Sequence, residues 1–451
     1  MMEALQGNTS GAQDSDRVFT KQQRIAEVAR QNPTMGFTSL NHYLDLEWLV
    51  AAYCATRKDG AVGVDGVTAE MYEERLDENL ADLLERFKSG RYRAPPVRRA
   101  HIPKEGTGKT RPIGIPTLED KVLQRAVLMV LEPIYEQDFL ACSFGFRPGR
   151  GPHQALDALW HGLMSMGGGW VIDLDISSFF DTLDRKHLET FLDKRVRDGV
   201  IRRTLGKWMN AGVMEDGAVL HPEHGTPQGG VISPVISNLY LHEVLDLWFE
   251  HEVKPRLRGR AMLVRFADDA LLAFASEADA RRVLEVLPKR FGRFGLTLHP
   301  VKTRLVDFRP PGPTRDGDGR SQRERSFDLL GFTHYWGRSR KGRWVVQRKT
   351  ARSRLSRALR RVRQWCRVHR HDKVADQQRA LSQKLRGHYA YYGITGNGKA
   401  ISAFAYEVVC IWRKWLSRRS HAGRLTWEVF QRLLQRYPLP PAQVVHSVYA
   451  T

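Results

Sequence analysis

A chain of 451 residues is too long for one compact domain and long enough for two or three, and with 42% hydrophobic residues each part can bury a core. Lys and Arg number 71 against 50 Asp and Glu, a formal charge of +21, which points to an anionic partner. No run approaches the roughly 20 uninterrupted apolar residues of a membrane span, and the polar N-terminus has neither a secretory apolar region nor Arg-rich transit character, so a membrane partner is excluded as the reading of that charge. Cys54, Cys142, Cys366 and Cys410 form no close pair, so neither a disulfide scaffold nor a zinc site is suggested, and a reducing, cytoplasmic compartment fits.

In chain order, residues 1–16 are polar and read as disordered. Helical periodicity follows in Lys21–Arg30 and Asp45–Arg57, then a Gly-punctuated loop at Gly60–Val67 and a long amphipathic helix to Lys88. Val97–Pro103 and Arg111–Pro116 read as strands joined by the turn KEGTGK, and Leu118–Phe139 as a buried helix. Trp170–Ile176 is an apolar strand ending in acid, and Ser233–Glu252 a helix with an apolar face. Met262–Ala267 and Ala270–Ser276 read as strands with Asp268 and Asp269 at the turn between them. Leu296–Phe308 and Phe327–Trp336 are further strands, separated by a solvated loop at Arg309–Arg325. From about Arg338 the chain turns helical and very basic, which places a domain boundary there.

The acids carry the chemistry. Nucleotidyl transfer uses two divalent cations about 4 Å apart. Mg²⁺ takes carboxylate oxygens and keeps some waters, so two or three aspartates on rigid strand ends suffice. WVIDLDISSFFD (Trp170–Asp181) and RFADDALLAF (Arg265–Phe274) each put acid where an apolar strand ends or turns. Asp268–Asp269 alone reads more readily as a solvated hairpin tip. The apolar strands on both sides favour a rigid, partly dry platform instead.

These segments resemble a family. FADD at Phe266–Asp269 is similar to the YADD box of reverse transcriptases, with Phe where the family has Tyr. IPKEGTGKTRPIGIPTLEDKVLQ (Ile102–Gln124), FGFRPGRGPHQAL (Phe144–Leu156), VIDLDISSFFD, HGTPQGGVISPVISNLYLHEVLD (His224–Asp246), LTLHPVKTRL (Leu296–Leu305), FDLLGF (Phe327–Phe332) and HYAYYGITGN (His388–Asn397) follow in the order of bacterial group II intron reverse transcriptase/maturases. The resemblance implies an α/β fold: right-hand polymerase fingers and palm over 17–338, then an α-helical thumb and maturase domain over 339–451. It implies an RNA-directed DNA polymerase with two Mg²⁺ ions, taking an RNA template such as the intron RNA, a DNA primer or target and deoxynucleoside triphosphates, and assisting splicing. Relatives often continue into a Cys-rich endonuclease; none is expected here.

The resemblance also assigns roles. Asp175 matches the first metal-binding aspartate, with the Ile176 carbonyl as an extra ligand. Asp268 matches the second ligand, and Asp269 the last acid of the box. Asp173 reads as a structural or solvated acid. Lys104 and Arg111 resemble residues that grip the triphosphate, as Arg and Lys suit phosphate. Gln228 matches a nucleotide contact, with Gly229 and Gly230 admitting close backbone approach. Phe180 matches the aromatic that excludes a 2′-hydroxyl, with core packing as the competing reading. Lys302 resembles a lysine that protonates the leaving pyrophosphate, or is an exposed strand-end lysine. Leu330, Gly331 and Phe332 resemble the primer grip.

The C-terminal part is basic. Ala351–Arg370 carries eight arginines, with Leu355, Leu359, Val362 and Cys366 on one helical stripe. With little compensating acid, the arginines read as a nucleic-acid backbone surface. His388, Tyr389, Tyr391 and Tyr392 read equally as base-stacking or packing groups, and Ile401–Leu416 as a helix with Phe404, Val408, Ile411 and Trp415 inward. Two rivals stand beside the polymerase reading: a splicing factor with a vestigial site, against which the intact aspartates argue, and a domesticated relative in phage defence or DNA repair.

Overall fold

The computed structural model describes residues 6–103, 110–215, 218–220, 229–311, 325–419 and 425–447. It is mixed α/β. The strands are β1 (Val97–Pro103), β2 (Thr110–Ile115), β3 (Gly169–Leu174), β4 (Ile176–Ser177), β5 (Val213–Glu215), β6 (Ala218–Leu220), β7 (Ala261–Phe266), β8 (Asp269–Phe274), β9 (Thr297–Leu298), β10 (Arg304–Phe308), β11 (Phe327–Leu329), β12 (Phe332–Arg338) and β13 (Trp344–Thr350). They form sheets ordered β2-β1-β5-β6, β10-β3-β8-β7, β11-β12-β13 and β4-β9.

The chain divides into two compact units. The first comprises Met1–Gly151, Ile172–Leu272 and Ala278–Arg304; the second comprises Pro152–Val171, Ala273–Glu277 and Leu305–Thr451. The division therefore falls after Arg304 in the chain's last crossing, while the sequence places a boundary at about Arg338.

The first unit is built around the helix Leu118–Asp138. Apolar residues on all its sides make it a core helix, and Val122, Leu123, Ala126, Val127, Val130, Leu131 and Ile134 are fully buried. Thr117 caps it by accepting from the Asp120 amide. The helices Gln6–Gln31 and Leu46–Cys54 pack against it, and the Trp48 indole donates to the Ala126 carbonyl at 2.9 Å. The first of these helices starts at Gln6, inside the stretch that composition alone assigns to a disordered terminus. Extending a helix is far easier than nucleating one, and the amphipathic Arg17–Gln31 supplies the nucleus.

In the second unit, β-structure continues to Thr350 and helices begin at Arg352, later than the basic composition indicates. The inward face of β13 explains the difference: Arg348 and Thr350 are buried there beside Val346. Arg348 pairs with Asp157 at 2.9 Å, and Thr350 exchanges hydrogen bonds with buried Asn397 at 2.8 Å. The helices Arg352–Val368, Val374–Tyr392, Gly398–Leu416 and Trp427–Arg436 then close a core of Val362, Cys366, Leu381, Leu385, Phe404, Val408, Trp412 and Phe430. Leu355 and Leu359 pack at its edge, as the stripe requires. Trp412, not Trp415, is the fully buried tryptophan of its helix, and its indole donates to Gln377 at 2.9 Å. No described helix is long and apolar enough to cross a membrane.

Candidate active site

The acids meet through the sheet. A methyl group at Gly169 would sit 2.1 Å from the Phe274 carbonyl oxygen, so the start of β3 lies against the end of β8. Neighbouring strands in that relation are antiparallel, and the end of β3 lies beside the start of β8. Asp175 follows β3 and Asp269 opens β8, so Asp175, Asp268 and Asp269 gather at one strand-end edge of the first unit. Asp268 and Asp269 are exposed and Asp175 is half-buried.

Asp175 is held from its backbone. Its carbonyl accepts from the His299 amide at 2.8 Å, and its amide donates to the Thr303 hydroxyl at 3.3 Å. Ile176 pairs with Leu298 in the next position of this antiparallel ladder. Since hydrogen-bonded and non-bonded pairs alternate, the Ile176 carbonyl points away from β9. The Lys302 ammonium lies 3.1 Å from both carboxylate oxygens of Asp175. Asp173, two residues back, pairs with Arg304 at 3.3 Å, as befits a structural acid.

The turn carrying Asp268 is fixed from beneath. Ala267 has φ +56°, an unfavourable conformation for a residue with a Cβ. Fully buried Arg265 donates to the Ala267 carbonyl at 3.1 Å and to Asn238 Oδ1 at 2.9 Å, and is gripped by both carboxylate oxygens of Asp246 at 2.8 and 2.5 Å. Asn238 and Asp246 come from one element, the helix Ser233–Leu241 and the π-helical turn His242–Asp246 that continues it. Burial alone would raise the Asp246 pKa; the Arg265 charge and the hydrogen bonds outweigh it and hold the carboxyl below its usual range. The sequence reading passed over these three residues. The available signal was an arginine in the apolar strand AMLVRF, since a buried guanidinium demands a buried partner.

Other candidates are distributed as follows. Phe180 is half-exposed and meets the buried Phe179 ring edge-on at 5.2 Å, which leaves Phe180 the outward ring of the two. Arg111 is exposed on β2, opposite Ile102. Lys104 and Gln228 lie outside the described residues. Gly229, with φ +117°, faces the chain itself: a Cβ there would sit 2.4 Å from the Gly114 carbonyl, and one at Gly230 2.8 Å from Gln124 Oε1. These glycines thus admit β2 and Gln124 to close approach, where the sequence reading assigned the close approach to substrate.

In the second unit, Leu330 and Gly331 form the tight turn between β11 and β12, with φ +50° and +82°. Phe332 is fully buried, so its side chain supports the turn from behind and cannot itself touch a primer. Tyr391 donates to the Leu330 carbonyl at 2.9 Å, and the Phe332 ring packs on Tyr391 and Tyr392. His388 stacks on Phe404 at 3.7 Å and Tyr389 is buried. For all four aromatic residues the structure therefore favours packing over base stacking.

Among the described residues no three His, Cys, Asp or Glu side chains converge into a ready-made metal centre. The donors at the strand-end edge still fit Mg²⁺. They are hard oxygen ligands, few in number and open to solvent, as suits an ion that keeps waters and relies on one or two carboxylates plus substrate phosphates.

An acid edge of this kind, on a sheet inside a mixed α/β unit, is an arrangement that two-metal nucleotidyl transfer can use. Residues 102–334 match the family described as "Reverse transcriptase (RNA-dependent DNA polymerase)", more than half of the chain, and the protein belongs to that family. It is 40% identical over 324 residues to protein YkfC of Escherichia coli, covering 63% of this chain and 83% of that one. It is 31% identical over 282 residues to the group II intron-encoded protein LtrA of Lactococcus lactis, covering 59% of this chain and 46% of that one. A 117-residue stretch is 32% identical to nuclear intron maturase 1, mitochondrial, of Arabidopsis thaliana, covering 25% and 16%. The protein is thus an RT-domain relative of group II intron maturases.

Proposed function

We propose that the protein copies RNA into DNA with two Mg²⁺ ions at Asp175, Asp268 and Asp269, and assists the splicing and mobility of a group II intron RNA. The observation that carries the reading is the strand order that puts those acids at the same end of adjacent strands β3 and β8, with the Asp268 turn backed by the buried Arg265 clamp. In this account residues 17–338 are fingers and palm, 339–451 are thumb and maturase surface, and the protein works in the cytoplasm. Its substrates are an RNA template, a DNA primer or target and deoxynucleoside triphosphates.

Asp175, Asp268, Asp269 and the Ile176 carbonyl would hold the metals, which when bound lower the pKa of the primer hydroxyl and stabilise the leaving pyrophosphate. Lys104, Arg111 and Gln228 bind the triphosphate. The Phe180 ring lies under the sugar and leaves no room for a 2′-hydroxyl. Lys302, beside Asp175, carries at Nζ the proton that the pyrophosphate takes on leaving. Leu330 and Gly331 present backbone to the primer, with Phe332 holding their turn.

The test is extension of a DNA primer on an RNA template by the full chain with Mg²⁺ and the four deoxynucleotides. Full-length cDNA is expected. No extension on any RNA template, from protein that binds the primer–template, would overturn the reading.

A further inference from the structure

We propose that Phe146 is a nucleic-acid contact of the polymerising site, its ring held outward beside the acid turn to stack on the base or sugar at the primer's 3′ end. The proposal rests on the polymerase reading and deepens it.

Phe146 is 62% exposed and has φ +55°. Neither is ordinary for phenylalanine, which gains by burying its ring and is disfavoured in the left-handed region. Such strain persists only where the surroundings over-determine it. Here they do so on both sides. Upstream, the Phe144 amide donates to the Arg265 carbonyl at 2.9 Å and the Arg265 amide to the Cys142 carbonyl at 2.8 Å. Asn238 Nδ2 donates to the Gly145 carbonyl at 2.7 Å. Gly145 lies so close to the acid turn that a Cβ would sit 2.4 Å from the Ala267 nitrogen. Downstream, buried Arg147 pairs with Glu136 at 2.8 Å and donates to the Leu140 and Ser143 carbonyls at 2.8 and 2.9 Å.

Residues 142–145 are thus zipped along the end of β7, and Arg147 anchors the chain again. The side chain between them faces outward. Its ring centroid is 6.3 Å from that of Phe266, two residues from Asp268. An aromatic fixed beside carboxylates that handle a growing strand is suited to the face of a base or sugar. Stacking accepts every base, as a template-directed enzyme requires.

Phe146→Gly separates this role from a structural one, because glycine adopts positive φ without strain. The probe is a DNA primer with 2-aminopurine at its 3′ end, annealed to RNA. Fluorescence is read without metal, and extension is read with Mg²⁺. Binding of wild type is expected to change the fluorescence, and Phe146→Gly to lose that change. The variant should need at least about fivefold more primer–template for half-maximal extension, with a Tm within about 2 °C of wild type or above it. Phe146→Trp should behave as wild type.

A Tm lowered by more than about 5 °C in Phe146→Gly would make the ring a packing group and overturn the proposal. So would an unchanged fluorescence response and extension in that variant, or no response from wild type. A wild type that never extends the primer, yet shows a response that Phe146→Gly loses, would sink the polymerase reading while leaving the contact standing.

Discussion

Asp120 is fully enclosed, and its carboxyl accepts from the Tyr92 hydroxyl, the Trp208 indole at 2.6 Å and the Gln124 amide at 3.0 Å. Burial wins over those donors and pushes its pKa up to about 6. The folded state therefore keeps a proton that the unfolded chain releases near 3.8. The group's stabilising contribution is full below that value, is lost as pH rises through about 6, and stays constant above. The total is about 3 kcal/mol. Thermal melts of wild type and Asp120→Asn between pH 4.5 and 7.5 check this: wild type should lose stability relative to the variant up to about pH 6, then hold a constant gap. Phe180 gives a second single-residue test. Phe180→Ala should raise the ratio of ribonucleotide to deoxynucleotide incorporation, measured at matched concentrations. An unchanged ratio would make the ring a packing group. Residue by residue, local chemistry is what the chain displays: acid where an apolar strand ends or turns marks Asp175, Asp268 and Asp269, whereas Phe180 is singled out only by the resemblance to reverse transcriptases. Phe332 and Tyr391 were not, since only the packed structure shows which face of an aromatic is covered.

At the scale of elements, the acid turn depends on a helix that precedes it by some twenty residues. Asp246→Ala would leave the Arg265 guanidinium buried and unpaired, and should destabilise the protein by about 3–5 kcal/mol, read from denaturant melts. Replacing the pair together, as Asp246→Leu with Arg265→Met, should recover most of that stability. It should not recover primer extension, because the Arg265 bonds to the Ala267 carbonyl and to Asn238 Oδ1 are then lost. A double variant with normal extension would show that the clamp serves stability alone. This clamp was invisible to periodicity: Arg265 interrupts an apolar strand, and no pattern announces that Asn238 and Asp246 are its partners. Strand β13 shows the same limit. Its alternation was masked because the inward positions are Arg348 and Thr350, made tolerable by Asp157 and Asn397 elsewhere in the chain. On the helix Gly398–Leu416 the expected inward stripe holds, with Trp415 packed at the core's edge, but it omits the fully buried Trp412, because adjacent positions Ile411 and Trp412 share the core.

For the whole molecule, the two proposed activities make different demands. Assisting RNA folding requires only that the protein bind the folded form better than the unfolded one. Polymerisation also requires the acids. Asp268→Ala with Asp269→Ala should therefore still promote lariat formation by a cognate intron while making no cDNA, with circular dichroism confirming the fold. Loss of both activities from folded protein would show that they are inseparable. The central claim is that these carboxylates act in catalysis and not in holding nucleic acid, and it is met most directly by Asp268→Asn, which keeps the side chain's shape and removes its charge. With an RNA template, a DNA primer and Mg²⁺, the account predicts no detectable extension from this variant, with primer–template affinity within about twofold of wild type, since little binding energy resides in one exposed carboxylate. Extension at the wild-type rate by Asp268→Asn would contradict the account.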